Sequence, residues 1–205
     1  LESSVEAFRL TLRKVDATIA HALQALDSHE ASLADIADAF ADIDADDDDF
    51  EMPQPGTVGR KFQISLADMD TERWRTDLTN DRETLRELIE VMDLVTPEHD
   101  RKLQRLKAVV LDKAGHPINE DNTKVLIFSA FADTATYLYR ELSPALTAAG
   151  LDLGLVTGKD TPKTTLGKGY DFQQVLTLFS PRSKEKAVIL PQVHGEIDVV
   201  IGTDC

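Results

Sequence analysis

Apolar positions recur every three or four residues from the start of the chain, where Val5, Phe8, Leu12, Val15, Ile19, Leu23 and Leu26 form one stripe. That spacing predicts a long helix with a single buried face. Ser3 and Glu6 supply a capping box for its first turn. A second helical stretch over residues 31–43, carrying Leu33, Ile36, Ala37 and Phe40, would fold back on the first as a hairpin spanning residues 3–43. The pattern then breaks. Asp46 to Asp49 repel one another and Pro53, Pro55, Gly56 and Gly59 interrupt any regular element, so residues 44–60 are expected as a solvated, mobile loop. Helical periodicity returns over Asp70 to Val95, with Trp74, Leu78, Leu85, Leu88, Ile89 and Met92 on one side. Thr96-Pro97-Glu98 reads as the start of the next helix: Thr at the N-cap, Pro where a missing N–H costs nothing, and an acid in the first turn. Leu103, Leu106, Val109 and Val110 are expected inward, and Gly115 is placed to end that helix.

From Lys124 the period changes. KVLIFS is a short continuous apolar run, as a strand buried on both faces requires. A helix with Leu138, Leu142 and Leu146 inward follows and closes near Gly150; then LDLGLVTG reads as a strand, DFQQVLTLFS as a helix and EIDVVIGT as a third strand. This alternation predicts an α/β fold with a parallel, doubly wound sheet. The expected division is a helical segment over 1–43, the acidic loop over 44–60, a helical region over 61–115 and the α/β part over 116–205. In a parallel sheet the C-terminal ends of 124–129, 152–157 and 197–203 lie on one edge, which brings Ser129, Thr157 and Thr203 together.

The formal charge of −15 modifies this picture less than its size suggests, because residues 15–59 hold 12 acids and no Lys or Arg. Residues 159–186 run the other way, with Lys159, Lys163, Lys168, Arg182, Lys184 and Lys186 against Asp160, Asp171 and Glu185, a local balance of +3. Phosphate binding is electrostatic and scales with such cations. The acidic run lacks the alternating acids, glycine and distal glutamate of an EF-hand loop, which argues against calcium. The five histidines, His21, His29, His99, His116 and His194, share no ligand spacing. A lone Cys205 leaves no disulfide framework or cysteine zinc site, and fits a reducing cytosol. No stretch approaches the roughly 20 apolar residues of a membrane span, and the first residues carry no signal-peptide pattern, so no membrane partner is expected. Gly154 to Asp160 is the string nearest to a phosphate-binding loop, but it has three residues between glycines where four are needed and Asp where Ser or Thr must stand.

Four segments, DRKLQRLKAVV, KVLIFSAFADTATYLYREL, DFQQVLTLFSPRSKEK and EIDVVIGTDC, occur in the order and spacing of the second RecA-like lobe of superfamily-two helicases. The chain resembles in particular the Swi/Snf-like bacterial members, and its opening LESSVEAFRLTLRKV is similar to the segment with which that group enters the lobe. The resemblance implies a RecA-like second lobe with a parallel sheet, incomplete and preceded by a helical segment. Motif IV would be Val125 to Phe131, and motif V would begin at Val200 and be cut at Cys205, which makes this an internal piece of a longer protein. It further implies an ATP-dependent helicase or translocase. Nucleic acid, more readily DNA, would be met through its sugar-phosphate backbone at Ser129, Thr203, Thr157 and Gly158. Asp204 would couple the lobe to nucleotide and to motif VI. ATP and Mg²⁺ would sit on a first RecA-like lobe of the same protein, so that this chain alone neither binds ATP tightly nor hydrolyses it. A non-catalytic α/β module whose helical hairpin docks a partner is the other reading of the same residues.

Overall fold

The computed structural model describes residues 4–27, 57–58, 64–65, 70–120, 122–158 and 160–203. The second arm of the expected hairpin, residues 31–43, and most of the acidic loop lie outside the described residues, as do Ser3, Lys159, Asp204 and Cys205. Within the expected mobile loop, Thr57–Val58 forms a short strand, β1, paired antiparallel with β2 (Ile64–Ser65). Its β-branched residues favour an extended backbone. The chain divides into two units, Leu1–Ala7 with Val95–Cys205, and Phe8–Leu94.

In the Phe8–Leu94 unit, α1 (Val5–Asp27) lies against α2 (Thr71–Asp93). Ile19, Ala22 and Leu78 form its buried centre, with Val15, Leu23, Leu26, Trp74 and Leu85 packed around it. Polar contacts fix the antiparallel sense. Arg13 holds Asp93 at 2.8 Å, Arg82 holds Asp16 at 3.0 Å, and Arg75 donates to the Leu26 carbonyl at 2.8 Å. Leu88, expected on the buried side of α2, is exposed together with Val91 and Leu94.

The α/β unit carries a four-stranded sheet in the order β3 (Val125–Ser129), β6 (Val199–Thr203), β4 (Leu153–Val156), β5 (Lys163–Thr164). The first three are parallel and β5 is antiparallel to β4, so the sheet is mixed at one edge. One face packs on α3 (Arg101–Gly115) and α4 (Ala132–Ala148) through Leu103, Val110, Leu142, Leu146, Leu153 and Ile201. The other packs on α5 (Phe172–Phe179) through Val156, Val175, Leu178, Ile197 and Val200. A single turn, α6 (Lys186–Ile189), follows α5.

Three expectations change here. The helix after Pro97 begins later, because Thr96 to Asp100 forms a turn with His99 N–H donating to Thr96 and Asp100 N–H to Pro97. Asp100, buried, is the true N-cap of α3. That helix belongs to the α/β unit, since Leu103 and Val110 enter its core, whereas Val109 is exposed. The unit boundary therefore falls at Val95, ahead of the expected division at residue 116. Finally, β3 is buried on one face only. Val125 and Ile127 meet the α3–α4 core, while Leu126 and Phe128 are exposed, because β3 is an edge strand and α5 covers β6 and β4.

Candidate nucleic-acid interface

Register decides which residues share the C-terminal edge. Ser129 at the end of β3 is the direct partner of Thr203 at the end of β6, and Val156 at the end of β4 pairs with Gly202. Thr157 and Gly158 follow Val156 immediately. The sheet thus brings Ser129, Thr157, Gly158 and Thr203 to one edge from three separate segments.

Their surroundings differ. Ser129 Oγ accepts from the Phe131 N–H at 3.2 Å and lies 3.1 Å from its carbonyl, so the hydroxyl also shapes the turn into α4. Phe131, the N-cap of α4, gives that helix no side-chain cap, which leaves first-turn amides beside Ser129 for a polar ligand. Thr157 is buried and its Oγ1 accepts from the Asp160 N–H at 3.3 Å, so its side chain serves the loop; Gly158 beside it is exposed. Thr203 is partly buried. Asp204 and Lys159 lie outside the described residues.

An acid at the opposite ends of the strands sets this alignment. Asp198 accepts from Thr123 Oγ1 at 2.8 Å and from the Asp152 N–H at 3.1 Å, tying the chain before β3 and β4 to the start of β6. Asp152 in turn accepts from Thr165 Oγ1 at 2.7 Å. Sequence reasoning missed this pair. The signal was present as an acid directly ahead of each apolar run, in LDLGLV and EIDVVI.

The basic stretch does not form one patch. Lys163 lies on β5 opposite Leu155, and Lys168 follows the Thr164–Gly167 bridge, both exposed. Arg182, Lys184 and Lys186 come after α5, whose end meets the beginning of β6 through the Ile197 N–H bonded to Leu178. They therefore stand at the N-terminal edge of the sheet, away from Ser129 and Thr203. The reason is the direction of α5, which runs back across the sheet and separates the two halves of the stretch.

No family model, curated protein or solved structure matches the chain.

Among the described residues the string nearest to a phosphate-binding loop begins inside a strand. Gly154 sits inside β4, where a Cβ would meet Val175 at 3.0 Å and Ile197 at 3.2 Å, so it serves close packing of α5 on the sheet. Among the described residues no group of three or more His, Cys, Asp and Glu is placed to hold a metal ion, and no helix is long and apolar enough to cross a membrane.

Proposed function

We propose that this chain is the greater part of a RecA-like second lobe of a superfamily-two, Swi/Snf-like ATP-dependent helicase or translocase acting in the cytoplasm. Its role is to contact the nucleic-acid backbone, with DNA the favoured substrate. The observation that carries the reading is the register pairing of Ser129 with Thr203, with Gly158 after the neighbouring strand, at the C-terminal edge of parallel strands. Ligands of open α/β sheets bind there. Hydroxyls and backbone amides at such an edge position a phosphate backbone without reading bases. Lys163 beside this edge adds charge; Arg182, Lys184 and Lys186 do not belong to this contact. ATP and Mg²⁺ belong to the first lobe of the same protein, where phosphoryl transfer would take place. In this reading the present chain supplies nucleic-acid contact and coupling, and by itself has no ATPase activity.

Thr203→Ala in the two-lobe motor tests this. Nucleic-acid-stimulated ATP hydrolysis should fall several-fold while basal hydrolysis holds, because a backbone contact is lost and the nucleotide pocket is untouched. Equal stimulation in variant and wild type overturns the assignment. The exposed Leu88 and Val91 on α2 and Leu94 at its C-cap favour a second reading, an interaction module that docks a partner through its helices. Pull-down of a partner that is lost in Val91→Asp, with no nucleic-acid binding at the sheet edge, would decide for it.

A further inference from the structure

We propose that the groove at the N-terminal edge of the sheet is a phosphate-binding site, separate from the Ser129–Thr203 edge, in which Arg182 and Lys186 hold the phosphate oxygens of a phosphorylated ligand. The groove measures about 1180 Å³ and is walled by the turn after α5, by α6, by the segment that leads into β6 and by Lys124. Its charges are unevenly matched. Lys124 Nζ donates to Glu196 Oε2 at 3.1 Å and to the Ile197 carbonyl at 2.9 Å, so it engages one oxygen of this carboxylate and leaves the other, Oε1, on the side of Lys186. Lys186 has a side chain only 13% exposed, yet its nearest carboxylate oxygen, on Glu196, is 4.0 Å away, beyond hydrogen-bonding distance. At that distance Glu196 does not take up the donors of the Lys186 ammonium. Arg182 is exposed and makes no ion pair among the described residues. The lining holds three cations, Lys124, Arg182 and Lys186, against two carboxylates, Glu120 and Glu196.

A planar guanidinium and an ammonium on one wall suit the oxygens of a phosphate, which takes Arg in a bidentate fork and Lys as a point charge. Ser180 lines the same wall and offers a hydroxyl, and His194 offers a ring nitrogen from the facing segment. The volume admits more than an inorganic ion, so the phosphate would belong to a nucleotide-sized phosphomonoester or to a stretch of phosphodiester backbone. The chain carries −15 overall, which disfavours diffuse anion binding and makes a positive result local to the groove.

Amide chemical shifts of the whole chain, titrated with inorganic phosphate, AMP and a short single-stranded DNA, test the site. Phosphate and AMP should move the amides of residues 180–186 and 194–196, with chloride at equal ionic strength having no such effect. Arg182→Gln combined with Lys186→Gln should weaken AMP binding at least about tenfold, the loss expected for charge-assisted hydrogen bonds. Glu196→Gln should tighten it, because the competing carboxylate is gone; this gain cannot come from a variant that merely fails to fold. Displacement of AMP by the oligonucleotide identifies a phosphodiester source, and AMP binding without displacement a phosphomonoester. Unmoved amides in the groove, or equal affinity in wild type and the double variant, overturn the proposal.

Discussion

Asp100→Ala should destabilise the α/β unit far more than its place in a turn suggests. The carboxylate is 5% exposed and performs two tasks. Its Oδ1 accepts from the Leu103 N–H at 3.0 Å, capping α3, and its Oδ2 accepts from the Tyr137 hydroxyl at 3.1 Å, joining α3 to α4. Loss of the cap costs about 1 kcal/mol. Tyr137 is 4% exposed, so its hydroxyl is left buried without that acceptor, which costs a further ~1–3 kcal/mol. The sum is about 2–4 kcal/mol. Asp100→Asn keeps one capping oxygen and presents an amide to the phenol oxygen, so it should cost about 1 kcal/mol. Thr96→Ala provides the control. Thr96 is the N-cap that local sequence rules select, but it is exposed and its side-chain bonds, to His99 at 3.3 Å and to the exposed Glu98 carboxylate, stay at the surface, so its loss should stay within about 0.5 kcal/mol. Trp74, the single tryptophan, sits in the Phe8–Leu94 unit and does not report this change. Native-state amide exchange at Leu142 and Leu146, in the core beside Tyr137, does. Refutation would be an Asp100→Ala variant no less protected than Thr96→Ala, or a double-mutant cycle with Tyr137→Phe showing no coupling.

Tyr137 also predicts an alkaline limit. Burial first, then the charge and hydrogen bond of Asp100, then Glu141 and Glu6, hold its phenol above the ordinary range. The folded state thus favours the neutral form: the stabilisation is complete below the unfolded tyrosine value of about 10 and is lost as pH rises through it towards the higher folded value. Denaturant midpoints measured across that range should fall less steeply in Tyr137→Phe. Gly154→Ala should destabilise by about 1–3 kcal/mol, since its Cβ would press on Val175 and Ile197, both in the core. Gly202→Ala meets its nearest atoms at 3.6 and 3.9 Å and should be nearly neutral; equal melting temperatures for the two would contradict this packing. Lys163→Ala with Lys168→Ala should weaken DNA binding by the two-lobe motor and flatten its dependence on salt, measured by anisotropy, since fewer counterions are released.

Period and punctuation in the sequence were enough to place α1, α2, α4, α5 and the three parallel strands, because each repeats apolar residues at its own spacing and ends at a polar or glycine signal, as Gly150 does with φ of 80° after α4. The convergence of Ser129 and Thr203 was legible too, since parallel strands leave little choice of edge. Tertiary structure alone decided the rest. Thr96-Pro97-Glu98 has better local start chemistry than Asp100, yet α3 starts at Asp100, whose buried carboxylate is bonded by a distant phenol on α4, whereas Thr96 makes only exposed, local bonds to His99 and Glu98. The composition of KVLIFS cannot tell a strand covered twice from one at an edge; strand order places β3 outside α5 and leaves Phe128 in solvent. The +3 stretch reads as one basic patch in one dimension, but α5 runs back across the sheet, so Lys163 and Lys186 finish at different ends and the groove around Lys186 gathers partners from residues 119–124 and 190–196. Local chemistry follows from neighbours in the chain, whereas burial and charge pairing follow from neighbours in space, and those are set only when the layers pack.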